Sequence, residues 1–274
     1  MLDWVVKLMT VLVALLAIII GAGVAVVIAI FNQWGRIRRS AQEDVRRTKK
    51  AAEEAQEAAI AVKKLQESLE KDAKDYGERI RIPAPGEEIT PKVKEQLDEL
   101  SRRLERVEAF GGSLKTEDYF NRGVDYYSKK DYKSALKAFE KSLELDPESY
   151  KAWLYKGLVL RELGQYENAL EAYDKALEIQ NYFSAWHGKG EIFRRINRYD
   201  DAIDAFSKAI ELQSNYNFSW YERARIYVLK GEKGPALADL KKAIEIADFT
   251  KSWVRTDKDF ESLWDDPDFN KLVE

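Results

Sequence analysis

The chain of 274 residues has no cysteine and a single histidine, His187. Without cysteine there is no disulfide framework, no thiolate metal ligand and no cysteine nucleophile. One histidine also excludes a multi-histidine metal centre, so zinc chemistry is not expected. The 45 basic and 48 acidic residues leave a formal net charge of −3, which gives no whole-chain attraction for nucleic acid. We therefore expect no metal, no cofactor and no nucleic-acid partner.

Patterns of catalytic residues are equally scarce. The sequence shows no nucleophile arranged for His187, and the 14 glycines are scattered rather than gathered in a phosphate-binding loop. The pair Gly188 and Gly190 falls inside a predicted helix. The sequence therefore assigns no catalytic residue and predicts that the protein is not an enzyme.

The apolar residues are concentrated at the N-terminal end. Between residues 8 and 31 the only polar side chain is Thr10, and about 20 apolar residues suffice to cross the hydrocarbon core. Trp4 and Trp34 flank this run, and indole rings prefer the membrane–water interface. A cleaved signal peptide would have a shorter apolar region of about 7–15 residues. We therefore predict a transmembrane anchor over residues 1–35 that crosses the lipid bilayer through residues 8–31.

The flanking charges predict how this segment is oriented. Seven basic and two acidic side chains lie between residues 32 and 50, whereas only Lys7 and Asp3 precede the apolar run. Because an excess of Lys and Arg stays in the cytoplasm, we expect the N-terminus outside and all following residues inside. The same basic cluster could also attract anionic lipid headgroups.

Four small residues recur at every fourth position of the apolar run: Ala17, Gly21, Ala25 and Ala29. This spacing places them on one stripe of a helix, where two backbones can approach closely and self-associate in lipid. The alternative is that small residues are simply common in such helices.

Residues 36–80 read as a charged helical stalk, because they are rich in strong helix formers and the stretch up to Tyr76 contains neither proline nor glycine. Two sets of positions are spaced by seven, as in a coiled coil with a thin, alanine-rich seam. The first set is Val45, Ala52, Ala59, Gln66 and Ala73, and the second is Thr48, Ala55, Val62, Leu69 and Tyr76. A coiled coil and a single solvated helix both remain open here.

Two prolines, Pro83 and Pro85, mark residues 81–90 as a linker that breaks the helix. Thr90 and Pro91 then predict the start of a second helix, with Thr as cap and Pro in the first turn. Residues 91–113 carry a stronger coiled-coil-like seam, which could pair with a copy of itself or fold back on the stalk. Gly111 and Gly112 predict a flexible joint at its end.

The remainder repeats itself with spacings of 34, 33 and 34 residues. The columns in register are Tyr119/Trp153/Trp186/Trp220, Gly123/Gly157/Gly190/Ala224, Ala135/Ala169/Ala202/Ala236 and Phe139/Tyr173/Phe206/Leu240. A period of this length indicates stacked pairs of helices, each of which needs its neighbours to bury an apolar face.

These columns resemble the tetratricopeptide repeat, a helix–turn–helix unit of 34 residues. The resemblance implies an all-α fold, in which a right-handed α-solenoid of four repeats over residues 114–248 follows the transmembrane helix and the stalk. The fourth repeat departs from the pattern, since Ala224 replaces glycine, Lys233 replaces tyrosine and Gly234–Pro235 opens its second helix. Residues 249–274 resemble the capping helices of such arrays.

The resemblance also implies that peptides bind in a concave groove lined by the first helix of each repeat. The projected groove residues are Phe120, Asn121, Val124, Tyr127, Lys151, Leu154, Tyr155, Leu158, Arg161, His187, Glu191, Arg194, Arg195, Phe218, Tyr221 and Arg225. Their mixture of aromatic, apolar and arginine side chains suits a ligand with apolar groups and carboxylates.

We therefore expect a membrane-anchored scaffold that recruits or organises partner proteins or peptides through this groove. Two alternatives remain. One is a structural homo-oligomer assembled through the transmembrane stripe and the coiled-coil seams. The other is an accessory subunit of a membrane complex.

Overall fold

The structure is a computed structural model that describes residues 2–83 and 88–274. All regular elements within these ranges are helices, as the repeat pattern predicts. Pro85 and Gly86 of the predicted linker lie outside the described residues. The chain divides into two compact units, residues 1–65 and residues 66–274.

Helix α1 (Leu2–Gly77) supplies the whole of the first unit. By length and composition its apolar part could cross a membrane, and none of that part is buried within the protein. The hydroxyl of Thr10 donates to the carbonyl of Val6 at 2.8 Å, so the only polar side chain of the run is satisfied inside the helix. The small residues of the stripe are all exposed, as are the seam positions from Val45 to Val62.

The second unit begins at Gln66, earlier than the end at residue 80 expected for the stalk. Here the last turns of α1 pack on helix α2 (Pro91–Ala109). Their shared apolar cluster contains Leu69, Ala73, Tyr76, Leu100, Leu104, Val107 and Leu114. The second half of the heptad seam is therefore covered by the chain itself, because α2 folds back on α1.

Thr90 caps α2 as its sequence predicts: the hydroxyl accepts from the amide of Val93 at 3.4 Å, and Pro91 is the first helical residue. At the end of α2, the two glycines of the predicted joint make backbone hydrogen bonds to the helix. Gly111 has a φ of +76° and donates to Glu108, while Gly112 donates to the carbonyl of Val107 at 2.9 Å. This pair of bonds is a Schellman motif, so the two glycines close the helix by defined hydrogen bonds.

Four pairs of antiparallel helices follow and form the solenoid. They are α3 (Thr116–Ser128) with α4 (Tyr132–Leu145), α5 (Tyr150–Glu162) with α6 (Tyr166–Ile179), α7 (Phe183–Arg195) with α8 (Tyr199–Leu212), and α9 (Asn217–Leu229) with α10 (Lys233–Ile246). Each pair packs on the next pair along the chain.

The columns of small and aromatic residues have a steric explanation. A Cβ atom at Gly190 would lie 2.7 Å from a ring carbon of Phe206, which is fully buried. The corresponding distances at Gly123 and Gly157 are 2.5 and 2.6 Å. Glycine in the first helix of a repeat thus lets the aromatic ring of the second helix lie against the backbone.

The fourth repeat follows the same rule with different residues. Ala224 and Leu240 are both fully buried at the equivalent positions. Because leucine has no planar ring to lie against the neighbouring helix, an alanine methyl group fits where the other repeats need glycine. The two departures from the pattern therefore compensate each other.

The last residues close the open end of the array. Helix α11 (Thr250–Val254), a 3₁₀ helix over Lys258–Leu263 and helix α12 (Pro267–Val273) place Phe260, Leu263 and Phe269 in one buried cluster with Tyr221 and Leu240. These apolar side chains cover the last repeat, as terminal caps of repeat arrays do.

Candidate peptide-binding groove

The first helices of the four repeats, α3, α5, α7 and α9, line the concave side of the solenoid. A cavity of about 370 Å³ lies at its centre. Its walls are formed by Ile89, Tyr127, Tyr155, Leu158, Arg161, Ser184, His187, Gly188, Glu191, Tyr216, Phe218 and Glu222. Seven of the predicted groove residues are therefore brought together in one concave site.

Several other predicted groove residues are packed into the core instead of facing solvent. Phe120, Val124 and Leu154 are 5%, 0% and 1% exposed. The ring of Phe120 contacts the rings of Phe139 and Tyr155 at centroid distances of 5.8 and 5.5 Å. These side chains hold neighbouring repeats together and form the floor beneath the groove.

Two of the predicted residues lie at other places. Asn121 lines a separate cavity of about 310 Å³ between the end of α1, α2 and α3. Tyr221 belongs to the cluster under the C-terminal cap, where its hydroxyl donates to Asp257. Of the remaining ones, Lys151 and Arg195 are exposed.

Two arginines of the predicted groove, Arg161 and Arg194, have carboxylate partners within the chain. Arg161 pairs with Glu191 and, at 2.8 Å, with Glu162. Arg194 lies 3.1 Å from Glu222. The sequence suggested that these guanidinium groups would bind carboxylates of a ligand, but here their charges are neutralised between neighbouring repeats.

Arg225 is also paired, although it lies outside the central cavity. It contacts Glu222 at 2.9 Å and Asp257 at 3.1 Å, and it also pairs with Asp259 of the cap. These contacts connect the last repeat to the C-terminal helices.

His187 is part of the groove wall and is almost fully buried. Its Nδ1 atom lies 3.0 Å from the hydroxyl of Ser219, and its ring contacts Phe206 and Tyr216 at 5.3 and 5.2 Å. Burial, together with the nearby charge of Arg161, lowers the pKa of His187 to about 3. The imidazole is therefore neutral near pH 7 and serves as a packing group with one polar contact.

The groove also contains polar atoms that have no hydrogen-bond partner among the described residues. One of them is the hydroxyl of Ser184, which lies in α7 and is 6% exposed. A buried hydroxyl without a partner carries a free-energy penalty of about 1–3 kcal/mol. Ser184 lines the central cavity, where a polar group of a ligand could satisfy it.

Aromatic residues form a continuous strip along one rim of the concave side. Successive ring centroids are 4.8–5.8 Å apart. The strip runs through Tyr150, Tyr182, Phe183, Tyr216, Phe218, Trp253 and Phe249. Only Phe218 of this set was predicted from the sequence, because the other rings lie near the loops, outside the repeat columns.

The linker between α1 and α2 also reaches the concave side. Ile89 is 8% exposed and belongs to the cluster that contains Phe120, Tyr155 and Leu158, and Ile80 and Ile82 pack against the same cluster. The hydroxyl of Tyr155 donates to the carbonyl of Pro83 at 3.0 Å. Part of the predicted groove is therefore covered by this chain's own linker.

The repeated tryptophans lie on the opposite side of the first helices. The indole N–H of Trp153 donates to the carbonyl of Pro147 at 2.8 Å, and the ammonium of Lys156 lies 5.3 Å from the ring centroid. Trp186 and Trp220 have the same pair of contacts, to the preceding loop and to a cation three residues later. This column is structural and fixes each inter-repeat loop against its helix.

Comparison with known proteins agrees with this architecture. Sequence profiles of the tetratricopeptide repeat match residues 120–182, 183–216 and 219–249. The uncharacterized protein MJ0572 of Methanocaldococcus jannaschii is 39% identical over 70 residues, which cover 26% of this chain and 81% of that protein.

Solved structures of MamA show the same fold. The MamA RS-1 ArsTM double mutant superposes with a TM-score of 0.55 at 20% identity, covering 67% of this chain and 97% of the other. The MamA MSR-1 structure gives a TM-score of 0.51 at 21% identity, with the same coverage. At these identities the likeness concerns the fold alone.

Stacked helical pairs with a concave, partly apolar face define a solenoid of the protein-interaction class. The chain belongs to the tetratricopeptide repeat family.

Proposed function

We propose that this protein is a membrane-anchored scaffold that binds other polypeptides on the concave side of its repeats. The observation that carries this proposal is the central cavity, in which aromatic and aliphatic side chains lie beside the paired charges of Arg161 and Glu191 and the unsatisfied hydroxyl of Ser184. Binding sites for peptides combine apolar area with a few polar groups that fix orientation.

The anchor in this proposal is the apolar part of α1. Its side chains are exposed along the whole run, for example Phe31 at 75% and Trp34 at 70%. Such a surface is unfavourable in water and favourable in lipid. The basic residues after Trp34 support an orientation with the repeats in the cytoplasm.

Affinity purification of the full chain from its native membrane, followed by mass spectrometry, tests the scaffold. Phe218→Ala removes an aromatic wall of the cavity, whereas Leu212→Ala removes an exposed side chain from α8, which does not line the groove. We expect the same partner proteins with the wild type and with Leu212→Ala, and their loss with Phe218→Ala. A partner set unchanged by Phe218→Ala would contradict the groove model.

The orientation has its own test, because the chain has no cysteine of its own. Single cysteines at Asp3 and at Ser40 are treated in sealed cells or vesicles with a thiol reagent that does not cross membranes. Labelling from outside at position 3 but not at position 40 is expected. The reverse pattern would refute the proposed topology, and recovery of the chain in the soluble fraction would refute the anchor.

One observation favours the homo-oligomer as a second candidate. The first half of the heptad seam has no partner within the first unit, and Val45 and Val62 are 69% and 48% exposed. A second copy could cover them, although an alanine-rich seam buries little area. Sizing in detergent, with Val45→Asp and Val62→Asp as disrupting changes, distinguishes a stalk dimer from a monomer.

A further inference from the structure

We infer that the concave surface of the first two repeats is a binding site for an extended aliphatic–x–aliphatic–proline segment. The chain itself supplies such a segment at Ile80–Arg81–Ile82–Pro83, so that a partner polypeptide with the same pattern must displace it. This inference rests on the proposed scaffold function and specifies both the chemistry of the partner and the state of the free groove.

The first observation is the apolar packing of the linker. Ile80 and Ile82 pack on the cluster that contains Phe120 and Tyr155, while Ile89 is nearly fully buried in it. The two isoleucines of the pattern alternate with the charged Arg81, as expected when alternate side chains of an extended segment face a surface.

The second observation is recognition of the linker backbone. Arg81, Ile82 and Pro83 belong to neither helix nor strand, and the carbonyl of Pro83 accepts a hydrogen bond from Tyr155. A main-chain carbonyl is common to all polypeptides, so a segment from another protein can accept the same bond. Proline adds specificity because its fixed φ favours an extended conformation before binding.

The third observation is the continuation of the site beyond the linker. A cavity of about 350 Å³ is lined jointly by Ile82, Pro83, Tyr150 and Tyr182. Those two tyrosines begin the aromatic strip, which leads across the third and fourth repeats to Trp253. Proline-containing segments dock on aromatic-lined grooves, so a partner longer than the linker gains contacts that the linker does not make.

Tethering explains why the linker competes effectively. The segment is held close to the groove by α1, which ends at Gly77, and by the Thr90 cap of α2. Short tethers give effective concentrations in the millimolar range, so a free peptide of the same sequence is at a disadvantage in the wild-type chain. Weakening the tethered segment should therefore increase the affinity of the added peptide by about tenfold or more.

The test uses the full chain in detergent and a fluorescent peptide with the sequence of residues 78–91. Binding is measured by polarisation for the wild type, for the double variant Ile80→Ser/Ile82→Ser, and for Ile60→Ser, which changes an exposed isoleucine of α1. We expect at least tenfold tighter binding to the double variant than to the wild type or Ile60→Ser. A peptide carrying the same two serines should not bind.

No binding to the double variant, or equal binding to all three chains, would overturn the inference. Far-ultraviolet circular dichroism establishes whether the double variant keeps its helices. A second measurement avoids this variant: Ile82 is replaced by p-benzoylphenylalanine, and the chain is irradiated. Cross-linking to the tryptic fragment 152–156, which contains Tyr155, and its reduction by excess peptide are expected. Absence of this cross-link would refute the cis contact.

These outcomes are separable from those of the scaffold proposal. If the peptide neither binds nor competes while Phe218→Ala still loses its native partners, the partner chemistry inferred here is wrong and the scaffold stands. If the peptide exchanges as expected but no protein ever co-purifies, the scaffold proposal fails.

Discussion

The close approach of Gly190 to Phe206 makes a sharp prediction about stability. In the wild type, Gly190→Ala would place a methyl carbon 2.7 Å from a ring carbon, and the ring has no free space because Phe206 is fully buried. Such overpacking costs about 1–3 kcal/mol, whereas alanine gains up to about 1 kcal/mol over glycine in a helix. We expect a net loss of about 1–2 kcal/mol in the free energy of unfolding.

The sign of this effect should reverse when the ring is removed. Phe206→Leu reproduces the pairing of Ala224 with Leu240 in the fourth repeat, at a cost of about 1–2 kcal/mol for the smaller side chain. In that background Gly190→Ala should stabilise the chain by up to about 1 kcal/mol, because only the gain in helix propensity remains. The double-mutant cycle then has a favourable coupling energy of about 1–3 kcal/mol.

Urea unfolding of the full chain in detergent, followed by circular dichroism, measures the free energy of unfolding for the four chains of the cycle. The four curves are compared with one common m value, the slope of this free energy against urea concentration. Gly234→Ala is the matched control, because a Cβ there meets no atom within 4 Å. Its effect should be the same in both backgrounds. If Gly190→Ala were destabilising by the same amount with Phe206 and with leucine, the steric explanation of the repeat columns would be wrong.

Three further predictions follow from burial. The pKa of His187 in the folded chain lies below the unfolded value of 6.5, so the stability conferred by its neutral imidazole is complete above about pH 6.5 and is lost as the pH falls toward 3. Between pH 7 and pH 5 the wild type should therefore lose about 2 kcal/mol more free energy of unfolding than His187→Gln. The imidazole NMR signal of the wild type should not titrate above pH 5. Phe260→Ala should lower the free energy of unfolding by about 3–5 kcal/mol, because this ring is fully buried. Trp264→Ala, at a partly exposed position, should lower it by less, and thermal unfolding of both variants measures the difference. Leu104→Ala should lower the free energy of unfolding by about 2–5 kcal/mol. Val45→Ala should change the stability of a monomer by less than about 0.5 kcal/mol. Equal effects of the two changes would show that the exposed seam of α1 has a partner.

The solenoid could be predicted from the sequence because its rules are local and repeated. Glycine at 123, 157 and 190 and an aromatic residue 16 positions later in each repeat were visible as columns before any contact was known. The helix start at Thr90–Pro91 was predictable for a similar reason, since a cap depends on a few neighbouring residues. The Schellman motif at Gly111–Gly112 was not predicted, because whether two glycines form this motif depends on the helix before them.

The groove residues were predictable only in part. Projection from the repeat pattern selected seven residues that line the central cavity, but it also selected Phe120, Val124 and Leu154, which are buried in the core. It does not identify the partners of any of them. Arg161 was expected to meet a ligand carboxylate and instead meets Glu191, which lies 30 residues later in the next repeat. The aromatic strip was missed for the same reason, since its rings lie at or just before helix N-termini and become neighbours only when the repeats stack.

The number of repeats, their register and the apolar run of α1 were therefore predictable from the sequence, because each depends on composition and on periodicity along the chain. The packing of α2 on the last turns of α1 and the position of Ile80–Pro83 on the concave surface became evident only in the folded chain. Those contacts join residues up to 72 positions apart, as between Pro83 and Tyr155. Such a contact is favourable only if the folded chain leaves a complementary surface uncovered. A local pattern of residues does not show which surfaces remain uncovered.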